Sequence, residues 1–113
     1  MEIHYQELNN GIRLIKLVGK LDVIGVGAIE TKFNGYCSGE RVKAAVDLSG
    51  VDFLASIGIR LLITTAKSLY SRQGRMVLLN PTPETKHVLE IAGITDIIPM
   101  YEQFESAEAV LLG

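Results

Sequence analysis

Asn9-Asn10-Gly11 lies between two apolar-rich runs, Ile3 to Leu8 and Ile12 to Leu21. Asn-Gly supplies the positive φ values of a tight turn, so the chain is expected to open with an antiparallel hairpin. After Leu21 the pattern changes to alternating helical and extended segments. A hairpin followed by such alternation leaves few arrangements. It predicts a mixed sheet whose later strands are joined by right-handed helical crossovers lying on its faces.

The segments can be placed from local signals. Val23 to Asn34 reads as a short helix closed near Gly35, and Val42 to Leu48 as a strand ended by Ser49-Gly50. From Ile57 to Arg72, Ile59, Leu62, Ile63, Ala66, Leu69 and Tyr70 recur at helical spacing, with Gly74 as the C′ stop. Met76 to Leu79 is a short strand. Thr82-Pro83-Glu84 then announces a helix, with a threonine cap, proline at the first helical position and an acid in the first turn, ending before Gly93. Ile97 to Met100 reads as an edge strand, because Pro99 cannot donate to a central ladder, and Phe104 to Leu112 as a last amphipathic helix. The expected fold is α/β, a mixed sheet of about four to five strands covered by about four helices. No linker, repeat or low-complexity tract divides the 113 residues, so a single domain spanning 1–113 is expected.

Composition removes several function classes. A hydrophobic content of 48% excludes disorder, and a net charge of −2 with mixed signs gives no broad attraction to nucleic acid or anionic membrane. Cys37 is the only cysteine, which rules out an intrachain disulfide and favours a reducing compartment. No apolar run approaches the length of a membrane span, and the first residues lack a basic-then-apolar leader pattern. A cytoplasmic location without membrane insertion is the expectation.

Catalytic motifs fail at the positions they need. Leu54-Ala55-Ser56-Ile57-Gly58 approximates a nucleophile elbow, yet leucine replaces its first glycine, and His4 and His87 offer no recognisable base. Gly25-Val26-Gly27 begins like a dinucleotide fingerprint, but Glu30 replaces the third glycine; flexible entry into a helix is the better reading. One cysteine and two distant histidines give no metal-ligand spacing, and no cofactor motif is present. The chain is not expected to be an enzyme.

Three loops fall where strands feed helices: Asp22 to Gly25, Val51 to Ser56 and Asn80 to Thr82. Ligand and partner contacts gather at such places. Ser56 stands out among their residues, because a hydroxyl at a helix start can cap the helix or carry a phosphate at the positive end of its dipole. The plain reading is an N-cap contributing about 1 kcal/mol. Arg60, one turn on, could pair with a phosphate there or with a partner's carboxylate. Asp22, Asp47 and Asp52 read as solvated carboxylates, with Asp22 the exception because it opens a helix.

The chain resembles STAS domains of the anti-sigma factor antagonist family over nearly its whole length. The resemblance rests on Gly19-Lys20-Leu21-Asp22, Val46-Asp47-Leu48-Ser49-Gly50-Val51-Asp52-Phe53, Ser56-Ile57-Gly58-Ile59-Arg60-Leu61-Leu62, Gly74 to Pro81 and Leu89 to Ile94, in that order. It implies the STAS fold and a non-enzymatic switch. In its unphosphorylated form such a protein binds an anti-sigma factor, commonly a serine kinase, and frees sigma. Phosphorylation ends the complex and a serine phosphatase restores it.

The family's site reads Asp-Ser-Ser-Gly, and here Ser56 matches the acceptor and Gly58 the glycine. Ala55 and Ile57 replace the aspartate and the second serine. The motif match at Ala55, Ser56, Ile57 and Gly58, together with Asp22 opening the neighbouring helix, Ile24 as a nearby apolar contact and Arg60 one turn on, gives the expected partner-binding site. The two replacements keep a second possibility open, a STAS scaffold or regulatory subunit of a stress-signalling or transport complex that is never phosphorylated.

Overall fold

A computed structural model describes every residue, Met1–Gly113. Strands β1 (Glu2–Glu7) and β2 (Arg13–Leu21) form the expected antiparallel hairpin. Its turn differs from a two-residue Asn-Gly connection. Only Gly11 takes a positive φ, +87°, and the loop is closed by Gly11 N–H donating to Leu8 O (3.0 Å) and Leu8 N–H to Ile12 O (2.8 Å). Asn10 contributes through its side chain, whose Oδ1 accepts from Ile12 N–H at 3.1 Å.

The chain continues through α1 (Val23–Tyr36), β3 (Lys43–Leu54), α2 (Ser56–Ser71), β4 (Arg75–Leu79), α3 (Pro83–Ile91), a 3-10 turn (Ile94–Asp96), β5 (Met100–Tyr101) and α4 (Phe104–Leu112). The five strands lie in the order β1-β2-β3-β4-β5, and every pairing after the hairpin is parallel. This is the mixed sheet with four helices expected from the sequence.

Strand β3 departs most from expectation. Ser49-Gly50, read as its end, lies in its middle, and the strand runs on to Leu54. Against β2 the pairing slips twice, between Lys16↔Asp47 and Val18↔Gly50 and again between Gly19↔Val51 and Lys20↔Phe53, so β3 carries one extra residue at each bulge. At the first, Asp47 Oδ1 accepts from Ser49 N–H (2.9 Å), and a Cβ on Gly50 would stand 3.0 Å from Leu17 O. Residues typical of turns here make a bulge because β2 is long enough to keep pairing. The Val51–Ser56 segment is therefore mostly strand rather than loop.

Two other boundaries shift. The C-terminal stop of α2 has Gln73, not Gly74, in the left-handed region (φ 60°), with Gly74 N–H reaching back to Leu69 O (2.8 Å) and Gln73 N–H to Tyr70 O (3.2 Å). Gly74 is needed for space, since a Cβ would come within 2.7 Å of Val42 O. The edge strand after Pro99 is only Met100–Tyr101, because Ile94–Asp96 coils into the 3-10 turn first. Helix α3 starts as expected, with Thr82 Oγ1 accepting from Thr85 N–H (3.2 Å).

The sheet separates two apolar layers. Ile15, Leu17, Val46, Leu48 and Leu78 pack with Ile29 and Phe33 of α1 and Leu62, Ala66 and Leu69 of α2. On the other face, Ala45, Val77 and Leu79 pack with Ala107 and Leu111 of α4. Period-two alternation along β3 and β4 sends neighbouring residues to opposite layers, which is why both faces of these strands are apolar. Helices α1 and α2 thus rest on one face with their N-termini at the carboxyl ends of β2 and β3, where Asp22 and Ser56 lie.

Candidate functional site at the start of α2

Leu54 pairs with Leu21, and the next amide, Ala55 N–H, donates to Leu21 O at 3.1 Å. The chain leaves the sheet there. Ala55 has extended geometry (φ −96°, ψ 168°), and its carbonyl already accepts from Gly58 N–H (3.0 Å) and Ile59 N–H (3.2 Å). Ala55 is therefore the N-cap of α2, and Ser56 is the first helical residue. This corrects the reading of Ser56 as the cap. With alanine at the cap, no side chain accepts from the amides of the first turn, and no acidic residue offsets the helix dipole there. The Ser56 side chain is exposed and free of structural duty as a cap.

Gly58 is buried. A Cβ on it would lie 2.7 Å from Leu21 Cγ and 2.8 Å from Leu21 O, so glycine lets α2 seat against the end of β2. It shapes the site without offering surface to a partner. Ile57 is only partly exposed and packs against the core.

On the neighbouring helix, Asp22 caps α1, its Oδ1 accepting from Gly25 N–H at 2.8 Å. Gly25 is required for close approach rather than flexibility, because a Cβ would sit 1.9 Å from Lys20 O. The tight entry holds Val23 and Ile24 outward; Ile24 is 83% exposed. Arg60 lines a groove of about 350 Å³ between α1 and α2 with Val26, Glu30, Ile57 and Thr64. Ser56 does not line that groove, so Arg60 faces α1 as well as solvent.

Phe53 was not singled out in the sequence. The second bulge of β3 interrupts the inward–outward alternation, leaving Asp52 and Phe53 both exposed between buried Val51 and Leu54, and Phe53 is 51% exposed. It shares a cleft of about 100 Å³ with Val88 of α3, flanked by Asp52 and Glu84. Its pairing partner is Lys20. An aromatic residue three positions before Ser56 was a visible signal, but its outward direction depends on the bulge.

Several other candidates stay apart. Asp47 is occupied by Ser49 N–H in mid-strand, so Asp22, Asp47 and Asp52 form no cluster. No group of three His, Cys, Asp or Glu residues is arranged to hold a metal ion. His4 and His87 are exposed, on β1 and α3. No helix is long and apolar enough to cross a membrane.

Five strands with one leading antiparallel pair, and helices α1 and α2 packed on one face of the sheet, describe the fold that holds this site. Residues 6–107 match the family model described as the STAS domain, and the chain belongs to that family. Among its relatives is BtrV of Bordetella bronchiseptica, assigned by name as an anti-sigma factor antagonist, 37% identical over 63% of this chain and 60% of BtrV. The match thus spans less than two thirds of that relative. The anti-sigma F factor antagonist of Lysinibacillus sphaericus is 30% identical over 72% of this chain and 70% of its own. In fold, the chain is similar to an anti-sigma factor antagonist from Mycobacterium paratuberculosis, with a TM-score of 0.88, 20% identity and coverage of 99% of this chain and 94% of the other.

Proposed function

We propose that this protein is an anti-sigma factor antagonist whose binding to an anti-sigma factor serine kinase is switched off by phosphorylation of Ser56 and restored by a serine phosphatase. One observation carries the reading. The Ser56 hydroxyl is exposed on the first residue of α2 and has no cap to form, while the amides of that turn have no side-chain acceptor. A kinase can reach such a hydroxyl without unfolding the helix. A phosphate adds roughly −1.5 to −2 charges at the positive end of the dipole, where the helix tolerates it.

The neighbouring surface supports a protein partner. Ile24 and Phe53 are exposed apolar side chains on the two segments flanking the start of α2, and Arg60 supplies a cation one turn along. Burying such groups against a partner is favourable, and a strongly hydrated phosphate among them opposes that burial. The chemistry is therefore association and release rather than catalysis.

Intact-mass measurement on the protein isolated from its own cell in phosphatase inhibitor tests the reading. A single added phosphate mapped to Ser56 is the expected result. Complete absence of phosphate under conditions that activate and silence the sigma factor favours the unphosphorylated STAS scaffold, for which Ala55 and Ile57 in place of the family's polar pair are the motivating residues.

A further inference from the structure

At the opposite end of the sheet from Ser56, Lys43 opens β3 and Arg75 opens β4, and the two are direct partners in the parallel register. Adjacent strands are about 4.8 Å apart, so like charges at paired positions repel each other and destabilise the sheet. Both residues share the α4 side with Ala45 and Val77. Arg41 joins them. It lies two residues before β3 with a left-handed backbone (φ 56°), its N–H donating to Arg72 O at 2.9 Å.

These three cations line one groove of about 180 Å³, with Gln73, the apolar residues Leu111 and Leu112, and Gly113, and no acidic side chain lines it. Neither of the two ion pairs in the chain, Arg13–Glu7 and Lys86–Glu102, involves them. Arg75 is partly accounted for, since one of its guanidinium nitrogens donates to Val110 O at 3.1 Å near the end of α4. Arg41 and Lys43 have no such role. Arg41 and Arg75 are exposed and Lys43 is half-buried, so water screens their mutual repulsion only in part, and a bound anion would lower it further.

We propose that the Arg41–Lys43–Arg75 groove binds an oxyanion of the phosphate class. The guanidinium of Arg41 offers a planar fork to two phosphate oxygens, Lys43 adds a compact charge, and Gln73 supplies a neutral donor at the rim. The phosphate is either a free ion or soluble phosphate compound, or the headgroup of an anionic lipid. This site is separate from Ser56 and does not depend on the switch.

The test is titration of the isotope-labelled chain with inorganic phosphate at low ionic strength, read by amide chemical shifts, against chloride at matched ionic strength. In parallel, the chain is sedimented with vesicles of phosphatidylglycerol in phosphatidylcholine and with phosphatidylcholine alone. Saturable phosphate-specific shifts at Arg41 to Lys43 and Gln73 to Arg75 are expected, weakened about tenfold or more in Arg41→Gln and in Lys43→Gln. If in addition only the anionic vesicles pellet the chain, and both variants abolish this, the physiological source is a lipid headgroup; without pelleting it is a soluble phosphate. The inference is overturned by equal shifts with chloride, by shifts located instead at the start of α2, or by binding unchanged in both variants. Arg41 is exposed, and replacing its guanidinium leaves the backbone bond to Arg72 O in place, so its variant keeps the result interpretable should Lys43→Gln unfold.

Discussion

Gly58 approaches Leu21 so closely that a single added methyl would stand 2.7 Å from the Leu21 Cγ and 2.8 Å from its carbonyl oxygen. That contact seats α2 on the end of β2 and thereby sets where Ser56 projects. Alanine normally improves a helix interior by about 1 kcal/mol over glycine, whereas overpacking costs roughly 1–3 kcal/mol. The second effect wins here because one of the two opposing atoms is backbone. Gly58→Ala is expected to destabilise the fold by roughly 1–2 kcal/mol in urea unfolding. A gain in stability would show that α2 can move off Leu21 freely.

The identity of the α2 cap reverses the usual expectation for a serine at a helix start. Ser56→Ala should change stability by less than about 0.5 kcal/mol, while Ala55→Ser should add about 1 kcal/mol by supplying the missing acceptor at a residue already in extended geometry. Asp22→Ala, which removes an actual cap, should cost about 1 kcal/mol. Thermal unfolding of the three variants gives the ranking directly. A large loss from Ser56→Ala combined with no gain from Ala55→Ser would place the cap back on Ser56.

Burial pushes the Cys37 thiol up to about 11, against the smaller opposing pull of the Arg13 and Arg72 guanidinium groups. The folded state therefore keeps the proton after the unfolded chain has lost it. Stability from this source is full below about pH 9, the ordinary thiol value, and is lost as pH rises through about 11. The loss amounts to roughly 2–3 kcal/mol. Tyr5 and Tyr70 are raised as well, chiefly by desolvation, and act in the same direction. Cys37→Ala should flatten the alkaline limb of a stability–pH curve and should itself cost little volume. Rapid alkylation of the native thiol at neutral pH would contradict its burial at 1% exposure.

Under the proposed function, Ile24→Asp and Phe53→Ser should each weaken binding of the cognate anti-sigma factor by about tenfold or more, as expected for exposed apolar anchors. Ile24 is largely solvent-facing, so Ile24→Asp should leave the unfolding midpoint near wild type, whereas Phe53 is half-buried beside Val88 and Phe53→Ser should lower it slightly. Calorimetric titration together with urea unfolding separates the two effects. Wild-type affinity in both variants would place the interface elsewhere on the molecule.

Ser56→Asp should weaken the same complex while leaving the far-UV spectrum unchanged, with a smaller effect than phosphate because the carboxylate carries about one charge fewer. A double-mutant cycle with Arg60→Ala reports whether Arg60 responds to that charge. Since Arg60 also lines the α1–α2 groove beside Glu30, strict additivity is the outcome expected if its guanidinium remains on the α1 side. Undiminished affinity of Ser56→Asp would remove Ser56 from the interface.

Signals contained within a few residues were readable before any fold was known. Thr82-Pro83-Glu84 started α3 where expected, Asp22 capped α1, and helical spacing from Ile57 onward revealed α2, because caps, proline geometry and side-chain period are local properties. The alternation of helices and strands after a hairpin was likewise enough to imply the mixed sheet. What remained hidden depends on atoms distant in the chain. Ser49-Gly50 became a bulge because β2 was there to pair beyond it. Gly25 and Gly58 were required by Lys20 O and Leu21 O. Ser56 lost the cap to Ala55 because β3 remains extended to Leu54 and the Ala55 carbonyl turns into the helix, and Phe53 faces outward because the bulge shifts its phase. Lys43 and Arg75, separated along the chain, became neighbours only through strand register. Local sequence sets which conformations are inexpensive; the tertiary contacts select among them, because a buried sheet edge or a close backbone approach outweighs a turn preference of about 1 kcal/mol.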